Sequence, residues 1–71
     1  MNIKVYSKKN CAGCDQVKAL LDAKGLGYEA VDVMLSKDAQ ALFREKGFRS
    51  VPQILVDGEF VTVEQLKEKL A

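Results

Sequence analysis

Asn10-Cys11-Ala12-Gly13-Cys14 separates an alternating run, Ile3-Lys4-Val5-Tyr6, from a helical one. Apolar residues on a period of two predict a strand over Met1 to Tyr6, with Ile3 and Val5 facing away from Asn2 and Lys4. After the stretch, Cys14, Val17, Leu20 and Leu21 recur at three-to-four spacing, while Asp15, Lys18 and Asp22 lie elsewhere on the wheel. That pattern predicts an amphipathic helix. Asn10 is a good N-cap, because its side-chain oxygen can accept a bond from an orphan backbone N–H one turn in. With Asn10 as cap, Cys11 takes the first helical position and Cys14 lies about one turn deeper. Sulfurs spaced three residues apart on a helix share a face. They can close a small disulfide ring or open to two thiols, so the stretch reads as a redox switch at a helix terminus.

Beyond this helix, Gly25 and Gly27 provide the stop, with Gly25 suited to the left-handed position after the last turn. Tyr28 to Val33 again alternates and predicts a second strand, which makes a βαβ unit with parallel strands and a right-handed crossover. Ser36 is placed to cap a second helix through Lys46, with Ala39, Leu42 and Phe43 inward and Gly47 as the stop. Ile54-Leu55-Val56, Asp57-Gly58 and Glu59-Phe60-Val61 predict an antiparallel hairpin on a type I′ turn. Thr62 with Gln65 matches the capping box and Val61 with Leu66 the hydrophobic staple. The last helix should run from Val63 to about Leu70, with Val63, Leu66 and Leu70 on one side. The order βαβαββα defines an α/β chain built on a mixed four-stranded sheet flanked by helices. No linker or repeat divides it, so residues 1–71 are expected to form a single domain.

Composition narrows the function. A chain of 71 residues has a small core, burying only about 60% of the surface its unfolded form exposes. The 2 cysteines are too few for a secreted disulfide scaffold, and a staple this short constrains the unfolded chain very little. The pair is better suited to chemistry than to holding the fold. With 11 basic and 10 acidic side chains, the formal charge of +1 argues against nucleic acid as the main partner. Neither a signal peptide nor a membrane span is legible, so a cytoplasmic monomer with no membrane contact is expected. No metal site is expected, since zinc wants four ligands and the chain has 2 thiols and 0 histidines. A metal-binding module would need Asp15 or a second chain.

Three segments, Val5-Tyr6-Ser7-Lys8-Lys9-Asn10-Cys11, Lys18-Ala19-Leu20-Leu21 and Ser50-Val51-Pro52-Gln53-Ile54, carry a resemblance in this element order. The chain resembles the glutaredoxin branch of the thioredoxin superfamily over nearly its whole length. Its shortness and Gly47-Phe48-Arg49 are also similar to the small redoxins that serve ribonucleotide reductase. The resemblance implies a thioredoxin-like fold and a dithiol–disulfide oxidoreductase, or electron carrier, without a bound cofactor. Cys11 is then the nucleophile and Cys14 the resolving thiol. Pro52 is expected in the cis form, with Val51 pairing to an extended substrate backbone. Lys8 is favoured as a neighbour of the thiolate, and Arg49 as part of the groove for an acidic partner or a glutathione carboxylate. Lys9 reads as a loop residue, Arg44 and Lys46 as a solvated helix end, and Tyr6 as strand packing. The implied partners are a disulfide-containing protein, ribonucleotide reductase among them, and either glutathione or thioredoxin reductase as the electron source.

The departures bear on that source. Ala12-Gly13 stands where the family usually has Pro-Tyr. Thr62-Val63-Glu64 replaces the usual Gly-Gly and acidic residues, and Glu64 puts negative charge where glutathione's γ-glutamyl carboxylate would dock. The aromatic-Ser-Gly-Phe-Arg ending of the ribonucleotide-reductase redoxins is also missing. Text similarity puts glutathione first and direct reduction by thioredoxin reductase second, with an iron–sulfur module as a further alternative. Either route needs a thiolate, and an unperturbed cysteine is only about 3% ionised near pH 7. A helix terminus contributes about 0.3–1 kcal/mol, so backbone N–H groups, the Cys14 thiol and Lys8 are expected to add to it.

Overall fold

A computed structural model describes residues Met1–Ala71. Its elements follow the expected order: β1 (Ile3–Ser7), α1 (Ala12–Ala23), β2 (Glu29–Asp32), α2 (Lys37–Lys46), β3 (Gln53–Val56), β4 (Glu59–Val61) and α3 (Val63–Leu70). The sheet order is β2-β1-β3-β4, with β1 and β2 parallel and the other pairs antiparallel. Alternation along each strand then sorts the core into two sides. Ile3, Val5, Ile54, Val56 and Val61 pack with Val17 and Leu21 of α1 and Leu66 of α3. On the other face Tyr6 meets Phe43 of α2 and Phe60 of β4, with ring centroids 5.7 and 6.0 Å apart. Phe48 closes this group, 5.4 Å from Phe43 and 4.9 Å from Phe60. Tyr6 is therefore strand packing rather than a substrate contact, as expected.

Local signals set most of the ends. Ser36 caps α2 by accepting the Ala39 N–H, and Gly47 ends it in the left-handed region at φ 73°. Asp57 and Gly58 both have positive φ, as a type I′ turn requires. Thr62 and Gln65 form the reciprocal capping box of α3. Nothing lies within 4 Å of a Cβ built on Gly47, so an alanine there would be opposed by backbone conformation alone. Gly47→Ala should cost about 1–2 kcal/mol, the penalty of a left-handed L residue. For a domain this small, thermal unfolding should shift down by about 4–8 °C for each kcal/mol. An unchanged midpoint would show that the end of α2 relaxes.

Three expectations are corrected. Asn10 does not cap α1: it turns the chain at φ 59°, and Cys11 takes the cap with φ −113° and ψ 103°. An N-cap needs extended backbone, and a residue already in the left-handed region cannot supply it. The second strand is shorter than Tyr28 to Val33, because at the sheet edge only Glu29–Asp32 pair with β1. Val63 does not join Leu66 inside: it is 36% exposed and stands beside the site described next.

Candidate active site

Strand directions gather the site. The C-terminal end of β1 lies beside the C-terminal end of β2, through Ser7 and Asp32, and beside the start of β3, through Tyr6 and Gln53. The loops after β1 and β2 and the loop before β3 therefore open on one end of the sheet. The first leads into Cys11, and the last carries Val51 and Pro52, joined by a cis peptide bond.

At the head of α1 the two cysteines are joined as a disulfide, with Cα atoms 5.2 Å apart. Cys11 is half-buried, whereas Cys14 is 0% exposed. The Cys14 backbone N–H donates to Cys11 Sγ at 3.1 Å, so the sulfur itself is the N-cap acceptor. That N–H stabilises an anion better than a neutral sulfur, which favours thiolate at Cys11 once the disulfide opens. Cys11 Sγ also lies 3.9 Å from the Val51 carbonyl oxygen, which a Cys11 thiol can reach as a donor but a disulfide cannot.

Gly13 has a role the sequence reading did not assign. A Cβ at that position would stand 3.4 Å from Pro52 Cδ, at ordinary contact distance, so the first turn of α1 lies directly against the proline. The signal was present as the small residue in place of the family's usual tyrosine. Gly13, Val17, Pro52, Val63 and Lys67 line a groove of about 330 Å³ on this side. On the other side Lys8, Arg49 and Val51 share a pocket of about 210 Å³ with Met34 and Phe48. The residues singled out from the sequence, Lys8, Cys11, Cys14, Arg49, Val51 and Pro52, thus lie at one end of the sheet. Arg44 and Lys46 are exposed in the last turn of α2, as solvated residues.

At the start of α3 the Thr62 N–H donates to Gln65 Oε1 at 2.9 Å, and the Gln65 N–H donates to Thr62 Oγ1 at 3.1 Å. Glu64 occupies the same first turn. No group of three or more His, Cys, Asp and Glu side chains forms a donor set for a metal ion. No helix is long and apolar enough to cross a membrane.

A disulfide at a helix start, a cis proline against it and this mixed sheet define a thiol–disulfide oxidoreductase of thioredoxin-like fold. Comparison with known proteins narrows the class. The chain belongs to the glutaredoxin family, whose profile, described as Glutaredoxin, matches residues 3–61. It is 34% identical to the glutaredoxin-like protein NrdH of Salmonella typhimurium over 55 residues, 78% of this chain and 68% of that one. It is 32% identical to glutaredoxin 3 of Escherichia coli over 65 residues, 84% of this chain and 74% of that one. Among solved structures, the thioredoxin-like protein BC3987 superposes with a TM-score of 0.82 at 32% identity, covering 97% of this chain and 99% of that one. The chain is a glutaredoxin-like dithiol–disulfide oxidoreductase with a Cys-X-X-Cys pair.

Proposed function

We propose that the chain reduces disulfides of a protein partner, with Cys11 as the attacking sulfur and Cys14 as the resolving one. The observation that carries this is the asymmetry of the pair: Cys11 is accessible and accepts an N–H, while Cys14 is fully buried behind it. Cys11 thiolate attacks one sulfur of the partner disulfide, forms a mixed disulfide and releases the other sulfur as thiolate. Cys14, deprotonated, then attacks Cys11 Sγ, closes the Cys11–Cys14 bond and releases the second partner thiolate. Two electrons pass to the partner, whose two sulfurs take up protons, and the chain is left oxidised. Val51 offers backbone to an extended substrate, and Lys8 and Arg49 offer charge beside it.

The α3 capping box bears on the electron source. Two N–H groups at that helix start are already satisfied within the chain, and Glu64 adds a like charge against an incoming carboxylate. This favours direct reduction by thioredoxin reductase over docking of glutathione, and with it a role as electron donor to ribonucleotide reductase. Two coupled assays on one preparation test the choice, each following NADPH consumption with the oxidised chain. Turnover is expected with thioredoxin reductase and only slow turnover with glutathione and its reductase. Turnover with glutathione alone would overturn this reading of the donor.

Asp15 follows Cys11 by one helical turn, where a carboxylate opposes a second negative charge by a few tenths of a kcal/mol. Asp15→Asn should move the ionisation of the Cys11 thiol slightly downward and leave the fold intact. Thiolate absorbance titration of the reduced protein reads this directly. No shift, or an upward one, would remove Asp15 from the electrostatics of the site.

A further inference from the structure

We infer that the preferred substrates are polypeptide segments with an acidic and a large apolar residue close to the reacting cysteine. They would be read by a trough of Lys8, Lys9 and Arg49 with Met34 and Leu35. The inference rests on the assignment of Cys11 as the attacking sulfur.

Met34 and Leu35 are 68% and 80% exposed, among the most exposed large apolar residues of the chain. A single exposed leucine is ordinary, but these two sit side by side on a turn that is firmly held. The Met34 N–H donates to Asp32 Oδ1 at 2.9 Å, and the Leu35 and Ser36 N–H groups donate to the Asp32 carbonyl at 3.1 and 3.0 Å. From α2, Gln40 Nε2 donates to the Val33 carbonyl at 2.9 Å. The backbone of the turn is therefore held, and both side chains project into solvent from it.

They share a groove of about 500 Å³ with Lys8 and Lys9. The adjoining pocket of about 210 Å³ shares Lys8 and Met34 with it and continues to Arg49 and Val51. Val51 carries the carbonyl oxygen 3.9 Å from Cys11 Sγ, so the trough runs up to the reacting sulfur.

Its charge is unbalanced. The one ion pair in the chain, Lys4 with Glu29 at 3.8 Å, uses none of the three cations. Asp32 is the carboxylate that lines the groove. It keeps its charge while accepting the Met34 N–H, so Lys8, Lys9 and Arg49 outweigh it but do not stand alone. An acidic side chain on the substrate thus meets an excess of positive charge that no ion pair within the chain engages, which raises the rate of encounter. Lys8 and Cys11 are three residue steps apart, at most about 11 Å, so about three extended substrate residues or fewer span the same distance. Glutathione brings carboxylates but no large apolar side chain, and it would leave Met34 and Leu35 uncovered. The complementary occupant is a polypeptide.

The test uses the reduced full chain and mixed disulfides of short cysteine peptides with one common small thiol. One peptide has Asp and Leu near its cysteine, a second has Lys and Ser, and a neutral small disulfide serves as reference. The acidic, apolar peptide should react at least about tenfold faster than the basic one at low salt, with the advantage shrinking as salt rises. Lys9→Glu and Leu35→Ser should each reduce that ratio. Equal rates, a preference that survives both substitutions, or failure with the peptides alone would overturn the trough and leave the dithiol chemistry standing. Failure with the small disulfide as well would instead overturn the assignment of Cys11.

Discussion

A Cys14→Ser protein should capture a disulfide partner at Cys11 and hold it, whereas Cys11→Ser should capture nothing and lose turnover entirely. The difference follows from the fold. Cys11 stands at the mouth of the site with the Cys14 N–H on its sulfur, and Cys14 is sealed beneath the first turn of α1. Removing the buried thiol leaves the first exchange intact and abolishes the second, because no other sulfur in the chain can attack the mixed disulfide. Insulin reduction measures turnover, and mass spectrometry of quenched mixtures measures capture. Capture by Cys11→Ser, with none by Cys14→Ser, would reverse the two roles.

Leu21→Ala is expected to have the largest effect on stability. Leu21 is 0% exposed and lies where α1 packs on the sheet among Val5, Val17, Ile54 and Leu66. Truncating a leucine in such a place costs about 2–5 kcal/mol, from lost burial and from the cavity left behind. A chain of 71 residues has roughly 4–11 kcal/mol in total, so about half of its stability is at stake. Urea unfolding of the oxidised protein should show a markedly lower midpoint with an unchanged slope. A loss below about 1 kcal/mol would mean that neighbouring side chains close the cavity. Because α1 also carries Cys14, the reduced variant should expose that thiol to alkylation faster than wild type does.

Much of the fold was legible because its signals are short-range. The period of two in Ile3-Lys4-Val5-Tyr6, Ser36 before α2, Gly47 after it, the Asp57-Gly58 turn and the Thr62–Gln65 box each act within a few residues. Asn10 failed for a reason of the same scale. Ranked by residue type it is the better cap, yet asparagine also tolerates the left-handed region. The loop uses it for that turn and passes the cap to Cys11. Val63 failed because three-to-four spacing fixes a helix face but not how far the neighbouring elements extend over it.

Within the site, the sequence determined the cysteine spacing, the helix that begins there and the proline that follows Val51. Only the tertiary structure decided that Gly13 packs against Pro52, that Lys8 and Arg49 share a pocket, and that Met34 and Leu35 stand beside them. These residues are brought together by the order β2-β1-β3-β4, which sets three strand ends side by side. Periodicity reports which face of an element is buried. Which loops meet depends on how strands pair across long stretches of chain, and that pairing is set by burying one shared apolar core.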